Sequence, residues 1–298
     1  MARPVHTSLL VIGGAEDKVG RATVLRRFVR LAGGRNARIV VIPTASAFPD
    51  QAVEAYMTTF SRLGAPAVVV VDPPSRPAAA AEALVQAIDD ATGVFITGGN
   101  QLKLAQLFLG TPLADAISRA YARGAVVAGT SAGASIMSRF MISLGDDGVT
   151  PRQRVSQLTS GLGLLPDVIV DQHFDQRARY GRLMSLVASS PNLLGIGIDE
   201  DTAAEVRDGR KLSVLGSGAV FVIDARGAVS DVPVARRHAP LLVSGAVVHS
   251  LPTGATFDLQ TATLISFVEK HPDVAVKAAA KVLDDSGDAG RTSPRRTH

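Results

Sequence analysis

The sequence predicts an α/β protein built on a mostly parallel sheet flanked by helices on both faces, with a C-terminal β-rich extension. Three observations carry this expectation. Strand-length apolar runs rich in Val and Ile recur between residues 8 and 200, and the segments between them place apolar residues three and four apart. The interior must also be aliphatic, because the 298-residue chain has no Trp and only 4% aromatic residues. Continuous aliphatic runs suit parallel strands, which helices cover on both faces.

The runs are "SLLVIGG" (8–14), "ARIVVIPTA" (37–45), "AVVVVD" (67–72), "GVFITGG" (93–99), "AVVAGTS" (125–131), "DVIVDQH" (167–173) and "LGIGIDE" (194–200). Helical periodicity fills the gaps with "ATVLRRFVRLAGG", "AVEAYMTTFSRLG", "AAEALVQAIDDA" and "PLADAISRAYARG", several of which end in glycine, as helices often do. From about Glu205 the pattern changes to short alternating runs punctuated by Gly and Pro, which reads as a β-rich extension over about 205–265. We expect one catalytic α/β domain over 1–272. The remaining 273–298 reads as a C-terminal helix or disordered tail, since "DDSGDAGRTSPRRTH" lacks large apolar residues.

Composition narrows the function. Arg291, Arg295 and Arg296 supply a good part of the net charge of +4, and no Lys/Arg stripe with interleaved aromatics occurs elsewhere, so nucleic acid is not an expected partner. The absence of Cys excludes disulfides, thiolate zinc sites and a cysteine nucleophile, and it fits a reducing compartment. The first apolar run breaks at Gly13, too early for a signal-peptide core or a membrane span of about 20 residues. A cytoplasmic chain is the expectation.

Parallel sheets carry their sites on loops leaving the carboxyl ends of strands. One such end, Gly129-Thr130-Ser131-Ala132-Gly133, fits the G-x-S-x-G nucleophile elbow, where a strand turns sharply into a helix and holds a serine hydroxyl above the sheet. Five residues with three fixed positions make a weak signal alone, so the partners decide. Of six histidines only His173 closes a strand downstream of the elbow, which makes it the candidate base. The orienting acid is expected from "GIGIDEDTA": Asp199 and Glu200 lie on opposite faces of the strand and spacing does not select between them, so Glu200 is preferred with Asp199 as the alternative, and Asp171 is a rival. Backbone amides of Ala132 and Gly99 are the candidate oxyanion hole.

With those residues placed, the chain resembles the cyanophycinases, serine exopeptidases of the S51 group related to aspartyl dipeptidases and, more distantly, to class I glutamine amidotransferases. The matching segments are "IGGAEDK", "FITGGNQLKL", "AGTSAGASIM", "DQHFDQRARYGRL" and "GIGIDEDTA", in family order over residues 11–203. The resemblance implies a class I glutamine amidotransferase-like fold, no metal or organic cofactor, a homodimer, and hydrolysis of cyanophycin, an arginyl-substituted poly-aspartate, to β-Asp-Arg dipeptides. It assigns Ser131 as nucleophile, His173 as base and Glu200 as triad acid. Gln101, Asp171, Gln172, Arg177, Arg179 and Arg182 fall on positions associated with the substrate pocket.

The residues themselves add that Arg179 and Arg182, three apart on a predicted helix, are placed to clamp substrate carboxylates. Glu16, Asp17, Asp171 and Asp175 are, on charge alone, candidates to receive a cationic arginyl arm. Asn100 stands where many relatives would carry an acid. Three other readings compete. An α/β-hydrolase esterase orders its triad serine, acid, histidine, whereas here the histidine comes before the acid. An aspartyl dipeptidase-like enzyme would act on short Asp-X peptides. A catalytically silent peptide-binding protein would keep the pocket without the chemistry.

Overall fold

The structure is a computed structural model, and it describes residues 5–267. The predicted tail over 273–298 lies outside the described residues. Five parallel strands form half of a nine-stranded sheet: β1 (Ser8–Ile12), β2 (Arg38–Ile42), β3 (Ala67–Val70), β4 (Gly93–Ile96) and β5 (Val126–Thr130), in the order β1-β5-β4-β2-β3. Their residues alternate between two cores. Leu9, Val11, Val40, Ile42, Val94, Ile96 and Val127 face one way, while Leu10, Ile12, Ile39, Val41, Phe95, Val126 and Ala128 face the other. Both faces are therefore apolar, which is why these strands read as unbroken aliphatic runs.

Helices α1 (Thr23–Leu31) and α2 (Pro49–Arg62) cover the second face through Val24, Leu25, Phe28, Val29, Tyr56 and Phe60. Phe28, Tyr56, Phe60 and Phe95 cluster there with ring centroids 4.6–5.8 Å apart. On the first face lie α3 (Glu82–Asp89), α4 (Gln101–Phe108) and α5 (Pro112–Ala122), through Ile88, Leu104, Phe108, Leu113 and Ile117. Asn100 caps α4, its side-chain oxygen accepting from the Leu102 and Lys103 amides. That gives the Asn a structural task in this chain.

Two of the apolar runs leave the main sheet. β8 (Val168–Gln172) and β9 (Leu194–Ile198) pair in parallel in a second sheet, completed by β12 (Ala219–Asp224) and β15 (Val247–Pro252) in the order β15-β12-β9-β8. One face of this sheet joins the first core through Val168, Val170, Ile196, Ile198, Val220 and Val222. The other packs on α7 (Tyr180–Ser189), with Ile169, Phe174, Leu183, Val187 and Ile223 forming a third core. Strand patterning cannot tell one sheet from two, since both bury aliphatics on both faces.

The β-rich extension continues the main sheet past β1. There β10 (Thr202–Arg207), β11 (Lys211–Gly216), β16 (Ala255–Asp258) and β17 (Thr263–Phe267) add antiparallel strands in the order β17-β16-β11-β10-β1. Two hairpins stand apart. They are β6 (Phe140–Gly145) with β7 (Ser156–Ser160), which borders the site, and β13 (Val229–Ser230) with β14 (Val243–Ser244).

Candidate active site

β5 lies between β1 and β4, so the loops leaving all three strands surround its carboxyl end. At that end Ser131 has φ 51° and ψ −110°, a conformation only a few non-glycine residues tolerate, and the short helix α6 (Ala132–Ser135) starts at the next residue. The small neighbours are a packing requirement. A Cβ on Gly129 or Gly133 would collide with the backbone of Gly133 or of Ile96 respectively.

His173 stands at the tip of β8 and Glu200 just beyond β9. The Ser131 Oγ lies 2.9 Å from His173 Nε2, and His173 Nδ1 lies 2.7 Å from Glu200 Oε1. With Nδ1–H donating to the carboxylate, Nε2 keeps its lone pair towards the serine hydroxyl, the tautomer a general base needs. The Gln176 side-chain oxygen accepts from the Glu200 amide at 3.0 Å and fixes the acid's backbone.

The rival acids are committed elsewhere. Asp199 is buried and accepts from the Asp175 and Ala219 amides. Asp171 is fully buried and takes a bidentate pair from Arg182, with the Arg179 guanidinium 3.6 Å away. Burial pushes its carboxyl above the ordinary range, against the pull of Arg182.

Successive carbonyls of the loop after β1 tie the three tips together. Ile12 O accepts from the Ser131 amide at 3.0 Å, Gly13 O from His173 at 2.9 Å and Gly14 O from Asp201 at 2.8 Å. Ala132 and Gly99, the expected oxyanion donors, direct their amides to no acceptor among the described residues. A Cβ built on Gly98 would sit 3.8 Å from Ser131 Oγ, so the Gly98-Gly99 backbone runs beside the hydroxyl.

A cleft of about 260 Å³ opens over Ser131 and His173, bounded by Gln101, Gln172, Arg177, Arg179 and Arg182 and by the β6–β7 hairpin. Not all of these side chains are open to a ligand. Arg179 donates to Gln172 O and Asp147, and Arg182 to Asp171, Gly145 O and Asp147, so internal acceptors already fill the forks expected to clamp a substrate. Burial, then the neighbouring Arg182, pulls the Arg179 guanidinium below its ordinary pKa. Arg177 differs: it is exposed and makes no ion pair or side-chain hydrogen bond among the described residues. Gln101 spends its amide N–H on Ile142 O and Ser143 O, leaving its carbonyl oxygen, while Gln172 accepts from Ser135, leaving its N–H groups. Among the described residues the cleft thus offers the Arg177 cation, the Gln101 carbonyl oxygen as acceptor and the Gln172 N–H groups as donors.

The acids proposed to meet an arginyl arm are mostly taken. Asp17 accepts from the Val19, Gly20 and Ala22 amides, which hold its carboxyl below the usual range. Glu16 is buried and accepts from Thr130 Oγ1 at 2.5 Å and from the Tyr56 hydroxyl, with Lys18 Nζ at 2.9 Å. Asp175 remains, accepting from the Tyr180 hydroxyl at 3.1 Å. Asp147, in the turn "GDDGVT" of the β6–β7 hairpin, went unnoticed in the sequence. Two adjacent acids before a glycine read as an ordinary turn.

Comparison with known proteins places the chain in a family. Residues 9–214 match the profile described as peptidase family S51. The chain is 40% identical over 266 residues to a protein named cyanophycinase from a Nostoc species, covering 89% of each chain. It is 40% identical over 227 residues to another from Geminocystis herdmanii, covering 76% of this chain and 84% of that one. The solved structure of a peptidase from an acI-B1 Actinobacterium superposes with a TM-score of 0.63 at 22% identity over 85% of this chain and 98% of its own, a likeness of fold. A serine at a strained elbow, the histidine and carboxylate beside it, and a family profile covering the residues that supply all three lead to one assignment: the chain belongs to peptidase family S51.

Proposed function

We propose that the protein is a serine exopeptidase that hydrolyses cyanophycin to β-Asp-Arg dipeptides, with Ser131 as nucleophile, His173 as general base and Glu200 as the acid that orients it. The observation that carries this reading is the continuous relay Ser131 Oγ, His173 Nε2, His173 Nδ1, Glu200 Oε1, with separations of 2.9 and 2.7 Å. The substrate follows from the relatives named cyanophycinase at 40% identity.

In the proposed reaction His173 takes the serine proton as Oγ attacks a carbonyl carbon of the polymer. The Ala132 and Gly99 amides stabilise the oxyanion, and His173 returns the proton to the departing amine. Water activated by the same imidazole then releases the acyl group and restores the serine. Arg177 and the free amide groups of Gln101 and Gln172 would meet the polar substrate, while Asp171, Arg179 and Arg182 would form the rigid wall behind them.

Incubating the purified protein with insoluble cyanophycin should release soluble β-Asp-Arg. Ser131→Ala should cost several orders of magnitude in rate without unfolding the chain. Near-native hydrolysis by that variant would remove serine catalysis, and turnover of short Asp-X dipeptides but not of the polymer would move the assignment to a dipeptidase. No helix among the described residues is long and apolar enough to cross a membrane. The compartment and assembly we propose, a cytoplasmic homodimer, rest on the absence of cysteine and on the family resemblance. Light scattering that returned the mass of one chain would remove the dimer.

A further inference from the structure

Glu16 makes none of the contacts expected of a substrate-binding acid, yet it is a buried carboxylate that receives three donors. Thr130 Oγ1 donates to Oε2, the Tyr56 hydroxyl donates to Oε1, and Lys18 Nζ lies 2.9 Å from Oε1. The residue is 3% exposed, so these partners replace its water. Thr130 immediately precedes the serine, and its own backbone is buried in β5. Glu16 thus grips the chain one residue before the strained turn. The same loop accepts the Ser131, His173 and Asp201 amides on the carbonyls of residues 12, 13 and 14, and the Asp17 amide donates back to Asp201 Oδ1 at 2.8 Å.

We propose that Glu16 is a positioning residue for the reaction: through Thr130 it holds the Ser131 hydroxyl on the His173 nitrogen. This rests on the serine-peptidase reading above and deepens it. The chemistry of the side chain makes the claim specific. A carboxylate is acceptor-only and can accept from the Thr130 and Tyr56 hydroxyls on separate oxygens at once, whereas the amide of a Gln has one acceptor oxygen, so at one of the two hydroxyls it must donate instead and leave that hydroxyl's own proton without its acceptor. Glu16→Gln therefore keeps the volume and turns at least one of the two hydroxyl-to-carboxylate bonds into a weaker, reversed one. Once the Thr130 bond is weakened, the Ser131 amide bond to Ile12 O is left to hold the elbow against shifting, and a displacement near 1 Å at the nucleophile costs on the order of a hundredfold in rate.

The test follows labelling of Ser131 by a fluorophosphonate probe, in which Oγ attacks phosphorus and expels fluoride as a stand-in for acylation by substrate, together with kcat and KM on cyanophycin and the melting temperature of each variant. Glu16→Gln and Thr130→Val should each slow acylation by about ten- to a hundredfold and lower kcat with KM little changed. Thr130→Ser, which keeps the donor, should acylate at close to the wild-type rate. The double variant Glu16→Gln/Thr130→Val should be no slower than the slower single variant, because both remove one interaction. Wild-type acylation by Glu16→Gln, independent penalties that multiply in the double variant, or a Thr130→Ser as slow as Thr130→Val would each overturn the proposal. Labelled wild type beside unaffected Glu16→Gln removes this inference alone, while an unlabelled wild type removes the serine-peptidase reading and this inference with it.

Discussion

Replacing Gly14 with Ala tests the close packing of the loop after β1 on the His173 imidazole. Gly14 has φ 108°, and a Cβ built there lies 2.6 Å from His173 Nε2 and 3.0 Å from Nδ1, against the 3.4 Å at which ordinary contact begins. The imidazole would have to withdraw by about 0.8 Å at the nitrogen that faces Ser131. Taken along the Ser131–His173 line, that opens the 2.9 Å separation to about 3.7 Å, beyond hydrogen-bonding range. A misplacement of this size predicts a loss on the order of a hundredfold in acylation, with a stability cost of about 1–3 kcal/mol for an L-residue held at that φ. Timed fluorophosphonate labelling reads the first number and urea unfolding the second, with circular dichroism confirming that the labelled variant is folded. A folded Gly14→Ala protein acylating within a few-fold of wild type would show that His173 does not need the position it occupies here.

Other expectations follow from the same geometry. Glu200→Gln should slow hydrolysis by roughly a thousandfold or more, as triads whose acid becomes an amide do. Asp199→Asn should instead act on stability, costing about 1–3 kcal/mol in denaturant titration, because an amide cannot accept from both the Asp175 and Ala219 N–H groups as the carboxylate does. Arg182→Met leaves the buried Asp171 without its bidentate partner and should cost about 3–5 kcal/mol; adding Asp171→Asn should recover part of it. The Arg210 hydrogen bond holds the Asp258 carboxyl at about 2 in the fold, below the ordinary 3.8. The stability it contributes is complete above pH 3.8 and is lost as pH falls towards 2. Acid unfolding of Arg210→Ala should show a weaker dependence, because the Gln260 and Thr261 amides still donate to the carboxylate.

The sequence was informative where one local rule decided the outcome. The glycines and alanines around Ser131 announced a sharp strand-to-helix turn because nothing larger fits, and His173 and Glu200 were legible as polar residues closing aliphatic runs. Partnership between charges was not legible. Arg179 and Arg182 at helical spacing look the same whether they face a ligand or the carboxylates of Asp171 and Asp147, and only the fold brings residue 147 beside residue 179. Glu16 was misread for a related reason: an acid after a glycine pair at a strand tip carries no mark of the Thr130 hydroxyl that lies 114 positions away in sequence. The β6–β7 hairpin had a usable signal in "FMISLGDDGVT", a strand-length apolar run closed by Asp-Gly, but its partner "SQLTS" is too polar to stand out.

The backbone around the site explains why the loop after β1 carries so much of the design. Ala15, Ser131, His173 and Asp201 all hold φ values of 47–51°, and for each a positive φ costs about 1–2 kcal/mol. Together that is a substantial share of the 5–15 kcal/mol by which domains are typically stable, so something must prevent relaxation. Three of the four, Ser131, His173 and Asp201, donate their own amides to the consecutive carbonyls of Ile12, Gly13 and Gly14. Rotating any of them towards an ordinary φ would strand a buried donor or a carbonyl of that loop, at about 1–3 kcal/mol per unsatisfied group. Strain and hydrogen bond are therefore of similar size at each tip. The tips hold their geometry as a set, because a single loop accepts from all three and cannot follow one without abandoning the others.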